Sequence, residues 1–308
     1  MNGLILVDKP SGLTSHDVVL ALRRVLAEPR VGHFGTLDPL ATGLLVTALG
    51  KATRLFPFFA GEDKAYQGWI RFGWATDTYD AQGKPLVGDY AGLPDEAVLR
   101  RAMAKFEGPI RQLPPPYSAK KFKGQPLYKR ARAGKDTPRT ECPIVIRRFA
   151  LLDYRPPEAE VEVVCSSGTY IRSLAHDLGR DLGCGAHLSG LRRLSSGAFR
   201  VEDAFTLDRI REMAEAGQTG SFFIPAENLL PASPKIVLDA SRERMVRNGQ
   251  AVPLEGTEGT SSGDLSGREP ENPLGASVLR LFNQDGYLIA LARLDVANRA
   301  GRPFLLFD

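Results

Sequence analysis

The sequence predicts an α+β fold, and three observations carry that prediction. Apolar and polar residues alternate from Tyr66 to Phe72 and again from Ala159 to Cys165, the period of a half-buried strand. Apolar residues recur at Ile171, Leu174, Ala175, Leu178 and Leu182, the period of a helix with one buried face. These segments follow one another without the regular strand–helix–strand rhythm of a doubly wound sheet.

The elements can be justified in order. Residues 3–7, Gly-Leu-Ile-Leu-Val, form a short apolar run that reads as a buried strand. Ser15 caps a helix carrying Val18, Leu22, Val25 and Leu26 on one face, and Pro29 ends it. Asp38-Pro39 joins a favoured N-cap to a favoured first helical residue, and Leu40, Leu44, Leu45 and Ala48 continue it, so a second helix is expected there. Pro94-Asp95-Glu96 opens a helix that stops at Gly108-Pro109. The stripe from Ile171 closes at Gly183, and Thr206 to Gly217 is one more capped helix. Pro231–Pro234 reads as a linker. It separates a first domain, 1–230, from a small β-rich domain, 235–308, with a short helix at Ser241–Asn248 and strands at Ser277–Phe282, Tyr287–Arg293 and Pro303–Phe307. Within the second domain, Glu255–Gly275 holds five Gly and five acids without periodicity and is expected to be a mobile loop.

Composition narrows the function. The 308 residues are 43% apolar and 25% charged, which excludes a disordered acidic tail, a coiled coil and a collagen-like chain. No apolar stretch approaches the ~20 residues of a membrane span, and no basic, apolar leader opens the chain. Three widely spaced cysteines are no disulfide framework, and a reducing cytoplasm is the expected location. The net charge of +4 hides a local concentration: residues 111–148 hold eleven Lys/Arg against two acids, leaving the rest of the chain at −5. A basic arm on a slightly acidic body predicts a polyanionic partner, nucleic acid above all. Lys120, Lys121 and Lys123 are its candidate phosphate contacts.

Motifs for cofactor chemistry fail on inspection. Gly43 to Thr53 ends in Gly-Lys-Ala-Thr, but the glycine spacing is too long for a phosphate loop and Ala replaces the required hydroxyl. Ser118-Ala-Lys-Lys121 has no companion Ser-Asp-Asn or Lys-Thr-Gly. Cys184 and His187 have no second close pair to complete a zinc site. Chemistry without cofactor or metal is expected. The unusual segment is Gly32-His-Phe-Gly-Thr-Leu-Asp-Pro-Leu-Ala-Thr-Gly43, which presents Asp38 with His33 nearby. A lone carboxylate cannot perform two-carboxylate glycosidase chemistry, but it can serve as nucleophile or base at one carbon centre.

That segment resembles the signature of the bacterial tRNA pseudouridine synthase B (TruB) family, and further blocks agree with it in order. Asp8-Lys9-Pro10…Gly12-Leu13-Thr14-Ser15 is similar to the family's N-terminal motif. Thr76-Asp77-Thr78-Tyr79-Asp80…Gly83 is similar to its second block, and Pro115-Pro116-Tyr117-Ser118-Ala119…Gly124…Tyr128…Ala131-Arg132…Gly134 to its third. Cys165…Gly168-Thr169-Tyr170-Ile171-Arg172 and Gly183…His187…Leu191-Arg192-Arg193 are similar to the fourth and fifth. Lys120 and Lys129 depart from the family pattern and make the arm more basic. The C-terminal region resembles the PUA-type RNA-binding fold more loosely.

The resemblance implies a mixed central sheet flanked by helices, the pseudouridine synthase fold, and isomerisation of uridine 55 in the TΨC loop of tRNA. It implies Asp38 as the catalytic aspartate, Tyr66 as the platform for the target base, and Arg172 as the partner of Asp38. Tyr170 and Leu191 would line the base pocket, His33 would meet the displaced loop nucleotides, and Lys9 and Pro10 would support the loop of Asp38. It further implies a cytoplasmic monomer acting on the tRNA T-arm with no membrane or protein partner.

The chemistry fits such a site. The N1–C1′ bond breaks, the base turns, and C5 joins C1′, with no net redox change or hydrolysis. The base must be flipped out of a folded loop. A guanidinium beside Asp38 would favour its ionised form, and the planar fork of Arg can hold a carboxylate in two contacts. Attack of Asp38 on C6, attack on C1′ and abstraction of the C2′ proton all stay open. An RNA-folding chaperone with vestigial catalysis is the rival reading, against which the intact Asp38, Tyr66 and Arg172 argue. A guide-RNA-dependent synthase subunit is another, against which the short segment before Lys9-Pro10 argues.

Overall fold

The structure is a computed structural model that describes residues 1–88, 90–118, 137–255 and 278–307, with the backbone of 121–122 and 125–126. Lys120, Lys123 and the span 256–275 of the expected loop lie outside the described residues, as does the side chain of Lys121.

Ten strands build the central sheet: β1 (Gly3–Lys9), β2 (Val31–His33), β3 (Thr42–Leu49), β4 (Lys64–Phe72), β5 (Gly108–Gln112), β8 (Cys142–Arg155), β9 (Glu158–Cys165), β10 (Ala186–Ser196), β11 (Phe199–Arg200) and β12 (Phe223–Pro225). The intervening β6 (Lys121–Phe122) and β7 (Gln125–Pro126) form a separate two-stranded ribbon. Along the sheet the order is β12-β1-β3-β10-β4-β9-β8-β5, with β2 on β3 and β11 on β10. The β3–β10 pair is parallel and the other pairs antiparallel, so the sheet is mixed as expected.

Alternation along the strands splits the apolar residues between two faces. Ile5, Val7, Leu45 and Leu49 join a core with the helices Ser15–Leu26, Glu96–Ala104, Ile171–Asp181 and Leu207–Glu215. Leu4, Leu6, Leu44, Val46 and Ala48 point the other way, into a second core shared with Val278, Phe282, Leu288, Leu291, Leu305 and Phe307 of the C-terminal region. That region is a five-stranded sheet ordered β13 (Lys235–Val237), β15 (Val278–Phe282), β16 (Leu288–Asp295), β17 (Ala300–Leu306) and β14 (Val252–Pro253). It has a small core of its own around Ile236, Val246 and Leu279, beside the helix Ala240–Arg247. Arg280 pins the connecting segment by donating to the carbonyls of Glu227, Pro231 and Ser233.

One element overturns the sequence reading. No helix follows Asp38-Pro39; residues 42–49 are strand β3. The strand lies between β1 and β10 with both faces covered, so its apolar residues are continuous and mimic a helical repeat. Two long strands had no legible signal. β8 carries register shifts at Ile146/Arg148 and Leu151/Asp153, and β10 at Leu188/Gly190 and Arg193/Ser195. Each bulge adds a residue and breaks the two-residue period. β8 also shortens the basic arm: residues 142–148 belong to the central sheet, where Arg147 pairs with Asp63 and Arg148 with Glu162.

Candidate active site

Asp38 stands in the irregular loop between β2 and β3. The Ala41 N–H closes a turn onto the Asp38 carbonyl at 3.0 Å, and no helix draws the carboxylate into capping. The N-terminal segment braces this loop. Ser15 Oγ accepts from the Leu37 N–H at 2.8 Å and lies 3.1 Å from the Leu37 carbonyl. The Gly12 N–H donates to the Pro39 carbonyl at 2.8 Å, and Ser11 Oγ to that of Leu40 at 3.3 Å. Lys9 is fully buried at the end of β1, and its Nζ donates to the carbonyls of Pro10 and Leu13 at 2.8 and 2.7 Å. Lys9 and Pro10 therefore reach the Asp38 loop through the turn they hold closed. Burial lowers the Lys9 ammonium to about 8, with Asp38 and Asp17 pulling it upward.

Arg172 lies in the first turn of the helix Ile171–Asp181, and its buried guanidinium joins two carboxylates. Nε lies 2.9 Å from Asp38 Oδ2 and Nη1 3.4 Å from Asp80 Oδ2. Nη1 also donates to the Thr78 carbonyl at 3.0 Å and Nη2 to that of Tyr117 at 2.9 Å. The expected two-contact grip on Asp38 is thus corrected to a single contact, because the rest of the fork is committed elsewhere. The Arg172 side chain is 7% exposed and that of Asp38 39%, so the cation is sealed while the carboxylate faces open space. Burial within the protein raises the Asp38 carboxyl above its ordinary value; Arg172 opposes the rise and Asp80 adds to it. The guanidinium therefore offsets the desolvation of Asp38 without reversing it.

The open space is a cleft of about 260 Å³. Asp38, Arg172, Tyr66, Tyr170 and Leu191 line it, so five of the expected site residues converge from β4, β10, the Asp38 loop and one helix start. Tyr66 serves both readings of an alternating tyrosine, since it is 7% exposed, belongs to the core and still lines the cleft. The Tyr170 peptide is held by Gln112, whose amide accepts from the Tyr170 N–H at 2.8 Å and donates to its carbonyl at 3.0 Å. His33 is not among the lining residues; it sits on β2, and its pKa is lowered by burial, then by Arg193 and His16.

Two residues of this site were missed in the sequence as individual candidates. Asp80 is buried and organises the Thr76–Gly83 block: its Oδ1 accepts from Thr78 Oγ1 at 2.7 Å and the Gln82 N–H at 3.0 Å, and its carbonyl from Thr76 Oγ1 at 2.7 Å. A Cβ at Gly83 would fall 2.3 Å from Thr78 Oγ1, which explains the glycine. The Thr-x-Asp spacing, a side-chain-stabilised turn, was the available signal. Arg193 is the other, a fully buried guanidinium on the cleft wall. Its register opposite Tyr66 comes from the bulged β10 and could not be read in advance.

Comparison with known proteins shows the family. A family model described as the TruB family pseudouridylate synthase N-terminal domain matches residues 23–171, and one described as the tRNA pseudouridylate synthase B C-terminal domain matches residues 172–231. The protein named tRNA pseudouridine synthase B of Geobacter sulfurreducens is 40% identical over 95% of this chain and 93% of its own. That of Thermobifida fusca is 40% identical over 99% and 98%. Among solved structures, a chain of a Cbf5-Nop10-Gar1 complex is 27% identical with a TM-score of 0.67, covering 99% of this chain and 84% of that one. A chain of an H/ACA RNP bound to a substrate RNA containing 2′-deoxyuridine shares the fold, with a TM-score of 0.70 at 24% identity, covering 99% and 85%. The chain belongs to the TruB family of pseudouridylate synthases.

Proposed function

We propose that this protein isomerises uridine 55, in the TΨC loop of tRNA, to pseudouridine, acting without a guide RNA or a protein partner. The observation that carries the reading is the Asp38 carboxylate, open to a cleft of about 260 Å³ and tied at 2.9 Å to a sealed guanidinium. Family membership supports the reaction type, and the tRNA pseudouridine synthase B name of the relatives supports tRNA as substrate.

In this reading the target uridine is flipped into the cleft. Tyr66 replaces the lost stacking, worth about 1–3 kcal/mol per base, and Tyr170 and Leu191 bound the rest of the base. Asp38 acts at one carbon of the nucleotide while the N1–C1′ bond breaks and the C5–C1′ bond forms. C5 loses a proton and N1 gains one, so the reaction balances without a co-reactant. Arg172 fixes the carboxylate and favours its charge. His33 meets RNA beside the cleft, and Lys120, Lys121 and Lys123 of the basic arm take phosphates. The C-terminal sheet adds an RNA-binding surface to a monomeric enzyme, and shape and phosphate contacts dominate recognition.

The test is to treat one unmodified tRNA transcript with the pure protein and map pseudouridine along it. A single modified position, 55, is expected. Modification elsewhere, or none without added protein or guide RNA, would overturn the reading.

A further inference from the structure

Arg193 on β10 is 1% exposed and among the largest fully buried side chains. Its neighbour Arg192 lays its fork on Asp8 at 2.9 and 2.8 Å, and Arg172 has two carboxylates. Arg193 forms no ion pair among the described residues. Its Nε donates to the Leu44 carbonyl at 2.6 Å and its Nη2 to the Gly35 carbonyl at 3.2 Å, and its charge opposes the upward pull of burial on the Tyr66 hydroxyl. A guanidinium buried without a counter-charge is costly, and an apolar side chain would fill the space more cheaply.

The two hydrogen-bond partners flank Asp38 in sequence. Gly35 lies three residues before Asp38 and Leu44 six after it, so Arg193 grips both limbs of the loop that presents the carboxylate. Tyr66 is directly opposite Arg193 in the β4–β10 ladder. The backbone closes tightly on Arg193 at Gly43, where a Cβ would fall 2.4 Å from its carbonyl oxygen, while one at Gly35 would make only ordinary contact with its Nη1, at 3.4 Å. Both glycines have φ values, +92° and +104°, in the region that glycine favours.

We propose that Arg193 is a positioning residue for the isomerisation, holding the Tyr66 ring and the Asp38 loop in fixed register across the cleft. The inference rests on the reading of Asp38 as the reacting carboxylate and Tyr66 as the base platform. A planar fork can donate to Leu44 and Gly35 from two fixed nitrogens while its charge stays against Tyr66, which a lysine cannot reproduce. A displacement of about 1 Å at a reacting group costs roughly 10²-fold in rate.

The test compares wild type, Arg193→Lys, Tyr66→Phe and the double variant in single-turnover tritium release from C5-labelled uridine in tRNA at saturating enzyme, with RNA affinity measured in parallel. Each single variant is expected to lose about 10²-fold in rate constant with RNA affinity nearly unchanged. The double variant should be no slower than the slower single, because both break the same tie. A purely structural role would reduce the fraction of protein that turns over and leave the rate constant of the folded fraction intact. Wild-type rate constants in either single variant, or multiplied losses in the double, would overturn the proposal. If Arg193→Lys does not fold, Tyr66→Phe decides alone: it keeps the ring and loses the hydroxyl on which the Arg193 charge acts, so an unchanged rate constant overturns the proposal. Asp38→Asn is run alongside, and its turnover would mark failure of the underlying reading rather than of this one.

Discussion

Arg172 binds Asp38 and Asp80 with different nitrogens of one guanidinium, Nε at 2.9 Å and Nη1 at 3.4 Å. The buried Asp80 thus sets the orientation of the group that holds Asp38. In Asp80→Asn the amide oxygen can still accept from Thr78 and Gln82, but its NH₂ would face an Arg172 N–H, donor against donor. The single-turnover rate should fall by roughly 10²-fold, and stability by on the order of 3 kcal/mol as a buried pair is broken. Rate and melting measurements check both, and a wild-type rate would show that Asp38 alone orients Arg172.

Asp38→Asn is expected to abolish turnover, because an amide is neither nucleophile nor base here, while RNA binding persists. Its effect on stability has a definite sign. The folded-state pKa of Asp38 lies above its ordinary value, so the folded protein binds the proton more tightly than the unfolded chain. Stability is lost as pH rises from the unfolded to the folded pKa and is not recovered above it. At neutral pH the ionised carboxylate is therefore a net cost, and Asp38→Asn should melt at the same or a higher temperature than wild type. Thermal melts at pH 7 check this. The same direction of shift is expected to move the acid limb of the wild-type pH–rate profile upward from the ordinary aspartate value.

Lys9 gives a second pH dependence of opposite sense. Its ammonium, lowered to about 8 from 10.5, loses its proton in the folded state before it does so in the unfolded chain. Between these values the unfolded state holds more protons, so stability from this group rises with pH. Neutral Lys9 keeps two N–H donors, enough for the Pro10 and Leu13 carbonyls. The melting temperature of wild type relative to Lys9→Met should therefore increase between pH 7.5 and 9.5. A constant difference would show that Lys9 does not titrate there.

Truncation after Pro231 should not yield a well-behaved catalytic domain. Leu4, Leu6, Leu44, Val46 and Ala48 are covered by the C-terminal sheet, and Phe58 stacks on Phe304 at 5.9 Å. Removing that cover exposes an apolar sheet face, which promotes association. The truncated chain is expected to aggregate or to melt well below the full chain in light scattering and thermal denaturation. A monomeric truncation of unchanged melting temperature would show that the shared core contributes little.

If Lys120, Lys121 and Lys123 reach phosphates, changing all three to Ala should make the log–log salt dependence of tRNA affinity shallower by roughly 2 to 3 units. The rate at saturating enzyme should change little. Affinities across a salt titration provide the measurement, and parallel slopes would place the phosphate grip elsewhere.

The sequence by itself determined several local elements and marked out five candidate site residues. Period-two strands such as β4 and β9 and the stripe of the helix Ile171–Asp181 each face one core, so burial is written directly into their spacing. Asp38, Tyr66, Tyr170, Arg172 and Leu191 were legible as a set through ordered motifs and converge on one cleft. Tertiary structure alone decided what depends on neighbours distant in sequence. β3 is a strand because two sheets cover it, and a strand buried on both faces keeps no alternation to read. The bulges of β8 and β10 break the period that pattern reading needs, and one of them sets Arg193 across from Tyr66. The second carboxylate on Arg172, from Asp80, joins residues ninety-two positions apart. Such long-range pairings leave no local pattern, because the physical contact forms only when the whole sheet has closed.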